Sequence, residues 1–503
     1  MNAPARAGAR QWFALAVLIL PVLMVSIDTT ALSFAVPQLS AGLRPSSVQL
    51  LWIVDVYPLA LAGLLVTMGV LGDRVGRRRL LFVGTAGFAL VSIYAAYAPD
   101  AGHLIAARAL LGVFGATLLP STMSLIRNIF LDDEQRRLAI AVWSAGFAGG
   151  GALGPIVGGW LLEHLWWGSI FLLAVPIIAV FLAVAPFVVP ESKRPDAGGL
   201  DPLSVALSVG TMAPIAFGVK HGAQAGVDAP TVATVGFGLL CGLVFVRRQL
   251  RSEHPLLDVR LFGRPVFSAS IAANFATILV FNGVTFYLSQ HMQLVQGLSP
   301  IQAGIRLLPG AAASILMGVA VVYIARRVPR WALIGFGMTI VAAGTAVGIT
   351  IGVATPLLVP VAIYVLLGLG SAMAQTLTND AIVSSVPAER AGAASGISET
   401  AYELGAALGV AVLGSLLTAT YTRGLVVPEG VPDADAYAVR QTLGAAEAVV
   451  PRLPADIGTA LHDAATGAFV HAVNVTSFVG AGALIVAAAL LTRTLKRAGL
   501  SRA

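Results

Sequence analysis

The chain has 503 residues, 57% of them hydrophobic and only 11% charged, against roughly 25% charged in an average soluble domain, so a surface facing water cannot be built from it. A net charge of +7 would point to nucleic acid in a soluble protein. Here the Arg and Lys residues sit in short connections between apolar runs, where they set membrane topology, and nucleic-acid binding is not expected.

Apolar runs of about 20 residues, each able to cross a hydrocarbon core of roughly 30 Å as a helix, recur along the whole length. They lie near 12–37, 48–71, 79–98, 102–126, 137–161, 167–189, 201–220, 230–247, 266–290, 301–325, 331–352, 355–380, 392–419 and 468–492, and predict an all-α protein with fourteen transmembrane helices. The first run passes Asp28 to reach Pro37 without a cleavage site of the signal-peptide kind, and reads as a retained helix. Cys241, the single cysteine, precludes an internal disulfide or a thiolate metal site.

Alternate connections carry the basic residues. One side holds Arg6 and Arg10, then Arg74, Arg77, Arg78 and Arg79, Arg136 and Arg137, Lys193 and Arg194, and Arg247 to Arg264. It continues through Arg326, Arg327, Arg330, Arg390, Arg493, Lys496 and Arg497. The other side has Arg44, Lys220, Arg423, Arg440 and Arg452. Both termini are therefore expected in the cytoplasm, which requires an even number of spans. The longest connection, 420–467, combines several prolines with Glu429, Asp433, Asp435, Glu447, Asp456 and Asp463, and reads as a solvated, partly ordered extracellular tether.

A degenerate repeat relates Gly72–Arg77 to Ala325–Arg330. The two correspond if the seventh and eighth spans are inserted between two six-helix bundles, with a substrate path between the bundles. The expected division is 1–195 for the first bundle, 196–250 for the insert, and 251–503 for the second bundle with the 420–467 loop.

Charges inside the spans are costly unless paired or wet, and mark function by default. Asp28 lies deep in the first span and Asp55 in the outer part of the second. Glu399 and Glu403 are four apart and share one face of the thirteenth, with Tyr402 beside them. A carboxylate in a partly dry cavity takes up a proton near neutral pH, and its ionised form attracts a cation. Trp52, Tyr57, Trp143 and Tyr402 are candidate contacts for an aromatic cation. The seven histidines lie in separate segments without metal spacing, and no nucleophile, base and orienting acid cluster together, so neither a metal site nor an enzyme is expected.

Three local patterns carry a family resemblance. Gly69-x-x-Gly72-Asp73-Arg74-x-Gly76-Arg77-Arg78 is an ordered turn that topology alone does not require; it resembles the signature loop of the major facilitator superfamily, which latches the two halves in one conformation. Gly146-x-x-x-Gly150-x-x-x-Gly154-Pro155-x-x-Gly158-Gly159 puts small residues on one helix face for close packing, and is similar to the antiporter motif of that superfamily's drug exporters. Arg108-x-x-x-Gly112-x-x-Gly115 is like a third pattern, whose arginine is associated with proton coupling.

With Ile27–Thr30, Leu51–Tyr57, Gln290–Leu294, Gly297–Pro300 and Ser398–Gly405, the resemblance covers nearly the whole chain. It is to the fourteen-helix drug:proton antiporters, in particular the mycobacterial fluoroquinolone and dye exporters and the staphylococcal quaternary-ammonium exporters. It implies a monomeric, cofactor-free bacterial inner-membrane exporter of lipophilic cations, driven by the proton gradient. Asp28, Asp55, Glu399, Glu403 and Arg108 would then handle protons and cations. The relatives that export divalent cations have an acid in the tenth span; residues 301–325 contain none, and Arg306 is basic, which favours monovalent cargo. The competing expectation is a proton-coupled uptake permease of the same fold.

Overall fold

The computed structural model describes residues 7–193, 201–226, 228–252, 255, 257–386 and 391–499. All regular structure among the described residues is helical. The expected boundary at 195–196 falls outside them, as do Arg6, Arg194 and Arg390.

Among the described residues, twelve stretches are long and apolar enough to cross a membrane. They are α1 (Ala9–Leu43), the first part of α2 (Ser47–Val75), α3 (Arg77–Ala96), α4 and α5 together (Ala101–Gly115, Leu118–Ile129), and α7 with α8 (Ser169–Leu172, Ala174–Val188). The others are α10 (Ala229–Arg251), α11 (Pro265–Gln290), α12 (Pro300–Ile324), α13 (Arg330–Val347), α14 (Leu358–Ser384), α15 with α16 (Ala391–Gly409, Ser415–Gly424), and α19 (Ala455–Arg497). Two further long helices lie among them, α6 (Asp133–His164) and α9 (Pro202–Ala225). The first packs along α1 and α12, the second against α2 and α10.

Local sequence sets the helix starts. Ser46 and Gln49 form a reciprocal capping box at α2, with the Ser46 hydroxyl accepting from the Gln49 amide at 3.2 Å and the Gln49 side chain accepting from the Ser46 amide at 2.9 Å. Ser299 and Gln302 repeat it at α12. Asp100, Asp132 and Asp228 accept amide hydrogens at the first turns of α4, α6 and α10.

The α9–α10 hairpin is fastened at both ends. Asp201 accepts from Arg248 Nε at 2.6 Å and Nη2 at 3.0 Å, and those bonds hold its carboxyl well below the usual range. Asp228, taking hydrogen bonds from the Thr231 hydroxyl and amide and pairing with His221 at 2.8 Å, is held down to about 2.

The segment after α16 departs from the expected tether. It folds into α17 (Asp433–Gln441) and α18 (Leu443–Val449), and α19 begins at Ala455 rather than near 468. Leu443, Ala446 and Val449 recur every three residues along α18 and are buried, as is Val439 of α17. Tyr421 donates to the Val439 carbonyl at 3.0 Å, and His462 meets Glu447 at 2.8 Å. Burial holds the Glu447 carboxyl above its ordinary range. Acids and prolines suggest solvation by their number, but Pro432 and Pro454 stand immediately before α17 and α19, where proline does not interrupt a helix.

Candidate transport cavity

The two expected bundles meet at the end opposite the basic loops. There the Ser47 hydroxyl donates to the Gln441 side chain at 2.8 Å, the Ser289 hydroxyl to the Ser33 carbonyl at 3.2 Å, and the Ile301 amide to Glu163 at 3.4 Å. The glycine-rich helix α6 uses two faces. Gly146, Gly150, Gly154 and Gly158 lie against Ile19, Leu23, Thr30 and Ala31 of α1, so this stripe packs inside its own bundle. Gly159 instead faces the backbone of Ile301, and Pro155 faces Gly304, so α6 and α12 cross almost backbone to backbone between the bundles. That end is shut.

At the basic end, several backbone bonds tie the Gly69–Arg78 loop to its own half. Gly76 has φ +111°, which favours glycine, and a Cβ there would lie 2.9 Å from the Glu191 carboxyl carbon. Glu191, beyond α8, accepts from the amides of Arg78 at 3.0 Å and Arg79 at 3.3 Å, capping α3. The Arg77 amide donates to Ser192, and Gly72 accepts from Gly76. Gly69 lies beside Pro120, and Arg74 is exposed. The side chain of Asp73 lies outside the described residues. In the repeat-related loop, Arg330 pairs with Asp380 at 2.9 Å, so an acid on α14 serves a loop that has none of its own.

Between the bundles lies a cavity. Asp55 and Arg108 supply its charge, and Thr29, Ser33, Asn282 and Thr285 much of its polar lining. Pro58 and Pro155 also face it; each lacks the N–H that a continuous helix needs, which loosens the backbone at this depth.

Arg108 is 1% exposed. Its Nη1 lies 2.7 Å from Asp28 Oδ2, its Nε donates to the Ile53 carbonyl at 3.1 Å, and its guanidinium sits 4.4 Å over the Tyr57 ring. The glycines that follow it explain this reach. A Cβ on Gly112 would lie 2.6 Å from the Tyr57 carbonyl oxygen, so α4 can approach α2 closely only without side chains there. Asp55, two residues beyond Ile53, is fully buried. Arg108 thus pairs with Asp28 beside the cavity, and Asp55 lines the cavity together with Arg108.

Glu399 and Glu403 do not line this space. They stand on α15 nearer the basic end than the lining residue Ala406, Glu403 buried and Glu399 half-buried. The Ser398 hydroxyl donates to Asn379 at 2.6 Å, and Asn274 reaches Ser398 at 3.4 Å, tying α11, α14 and α15.

The four aromatics singled out from sequence lie outside the lining. Trp52 stacks on Phe217 of α9 at 6.4 Å, Trp143 donates to the Thr122 hydroxyl at 3.2 Å, Tyr57 supports Arg108, and Tyr402 meets Phe147 edge-on at 6.3 Å. Phe34, Phe281 and Tyr364 line the cavity instead. Sequence reasoning also passed over Glu191 and Asp380, because both act on loops far away in the chain.

Residues 18–410 match the family model of the Major Facilitator Superfamily. The chain belongs to this superfamily. It is a membrane transporter and not an enzyme. The multidrug efflux pump LfrA of Mycolicibacterium smegmatis is 49% identical over 98% of both chains. The methyl viologen resistance protein SmvA of Salmonella typhimurium is 35% identical over 93% of this chain and 95% of its own. A bacterial homolog of the human lysosomal transporter Spinster, solved in an inward-facing, unoccupied conformation, has the same fold, with a TM-score of 0.68 at 18% identity over 98% of this chain and 99% of its own.

Proposed function

We propose that this superfamily member is a proton-coupled multidrug efflux antiporter of the bacterial inner membrane, acting as a monomer with both termini in the cytoplasm. In this reading α6 and α9 complete fourteen spans, with α9 and α10 as the hairpin between two six-helix bundles. The observation that carries it is the buried Asp28–Arg108 pair beside a cavity between the bundles that Arg108 and Asp55 line. A low-polarity site tolerates a buried carboxylate charge poorly. A proton or a lipophilic cation relieves it, and competition between the two is exchange. The gradient supplies the energy without a cofactor.

Glu399 and Glu403 extend the proton path toward the basic end, since two like charges one turn apart favour holding one proton between them. The Gly69–Arg78 loop latches the basic ends when the cavity turns outward. Efflux rather than uptake is supported by the names of the relatives, a multidrug efflux pump and a resistance protein.

Cargo is read as mainly monovalent, because α12 carries no acid. A second reading, dication export, draws on the 35% identical relative named for resistance to methyl viologen, which is a dication. Proteoliposomes with an imposed pH gradient test both. Ethidium should be carried against the proton gradient, methyl viologen weakly, and Asp55→Asn or Glu399→Gln should abolish coupling, with Glu403→Gln milder. Full proton-coupled ethidium transport by Asp55→Asn would overturn the assignment; methyl viologen carried as well as ethidium would favour the second reading.

A further inference from the structure

The α9–α10 hairpin is one stiff body. Besides the pairs that fasten its two ends, Gln249 donates to the Ser204 hydroxyl at 2.7 Å. A Cβ on Gly238 of α10 would lie 3.0 Å from the Thr211 carbonyl oxygen, so the two helices pack nearly backbone to backbone. Phe237, Leu240 and Leu243 of α10 are exposed, as a face turned to lipid requires. On the other side α9 lies across a seam between the bundles. It packs on α2 of the first, and on α16 and the π-helical turn Val410–Gly414 of the second.

The two contacts of α9 differ in kind. Toward the first bundle the Ser208 hydroxyl donates to the Gly63 carbonyl at 2.9 Å, and Phe217 stacks on Trp52 with centroids 6.4 Å apart. Toward the second the contact is apolar. Leu59 of α2 and Ala407 of α15 form a small buried cluster, with Met212, Leu404 and Leu408 packed against it. Among the described residues no hydrogen bond or ion pair joins α9 to α15 or α16. A hydrogen bond in a low-polarity medium is lost whole when its partners part, whereas apolar side chains that slide exchange one set of dispersion contacts for another. The chain joins the second bundle at the basic end, where Gln249 accepts from the Leu257 amide at 3.3 Å and the Leu250 carbonyl accepts from Arg260 at 3.0 Å.

We propose that the α9–α10 hairpin is a seal fixed to the first bundle that slides over the second, keeping the seam between α2 and α15 closed to lipid in both access states. The inference takes its two access states from the antiport reading above and adds which half carries the insert. Rocking of the halves is a relative motion at this seam, and α9 follows the half to which it is bonded. The junction at the basic end is the pivot, so the sliding is largest at the outer end, where α9 meets α16.

The test uses the full-length protein in a Cys241→Ala background with two cysteine pairs. Gly63→Cys with Ser208→Cys ties α9 to α2; a Cβ on Gly63 would lie 3.9 Å from Ser208 Oγ, within disulfide reach. Met212→Cys with Leu408→Cys ties α9 to α15 through a short, reducible bifunctional thiol reagent. Ethidium efflux in proteoliposomes should survive the first link, and should be lost with the second and return on reduction. Loss of efflux with the first link, or normal efflux with the second fully formed, would overturn the seal. Spin labels give a second readout that does not depend on transport. Val232→Cys on α10 is paired with Tyr97→Cys on α3 or with Val426→Cys beyond α16, all three exposed, and each pair is compared between the parent and Gly159→Ala, which loosens the outer contact of α6 with α12. The distance to Tyr97 should hold while the distance to Val426 changes; the reverse pattern would assign the hairpin to the second bundle and refute the proposal. A protein that carries no ethidium before any link is formed would refute antiport, and the spin-label distances would still decide the seal.

Discussion

Replacing Gly159 by alanine places a methyl carbon 2.6 Å from Ile301 Cα and 2.7 Å from its amide nitrogen, where unstrained contacts lie at about 3.5–4.0 Å. Roughly 1 Å of separation is needed, and because the opposing atoms are backbone, α6 and α12 must part as bodies. Overpacking of this kind costs about 1–3 kcal/mol. Gly159 and Ile301 stand on different bundles and touch where the cavity is shut, so the cost falls on the closed state of that end. At about 1.4 kcal/mol per factor of ten, the conformational equilibrium moves toward opening there by roughly 5- to 150-fold.

The assay places spin labels at Leu165→Cys and Val353→Cys, two exposed positions at this end, in a Cys241→Ala background, and measures the distance distribution. Gly159→Ala should populate a longer distance and slow efflux. Gly149→Ala, with nothing within 4 Å of its Cβ, is the control and should do neither. Wild-type distances together with wild-type efflux in Gly159→Ala would refute the argument that this contact shuts the cavity.

Three further outcomes are expected. Asp28→Asn strands the buried Arg108 guanidinium from its partner at 2.7 Å, at a cost of about 3–5 kcal/mol; the melting temperature should fall and proton-coupled efflux disappear, and an unchanged melt would show that the pair does not hold this region. Gly76→Ala must adopt φ +111° and crowd Glu191, a strain of about 1–2 kcal/mol, so turnover should slow while ethidium affinity holds, and reduced affinity at normal turnover would contradict a conformational role. Leu443→Asp puts a charge at a site only 2% exposed and should lower the melting temperature by several degrees, whereas a melt equal to wild type would return the segment to a solvated tether.

Much of the transport cavity was legible as cost. Asp28, Asp55 and Arg108 stand out in sequence because an ion in a long apolar run is expensive. Their arrangement was not legible, because Asp28 and Arg108 meet across 80 positions. That meeting needs α4 rotated to face α1 and α2, and Gly112 and Gly115 permit the approach without announcing its partner. The glycine pattern of α6 predicted close packing, but Gly158 and Gly159 are neighbours that point to different helices, one inside the bundle and one across to Ile301.

The aromatic lining was not legible for a related reason. A helix that is apolar all round carries no periodic signal for which face meets the cavity, so Phe281 and Tyr364 did not stand out. The 433–449 segment was misjudged because its acids and prolines were weighed above the helical spacing of Leu443, Ala446 and Val449.

The sequence by itself determined that this chain lives in a membrane as long helices, since apolar run length against bilayer thickness is a one-dimensional property. Motif spacing along single helices was equally local. Only the tertiary structure decided which carboxylate pairs with Arg108, which end of the cavity is closed, and which rings line it. Those depend on the rotation and separation of helices remote in the chain, and that information exists only once side chains on several helices compete for the same space.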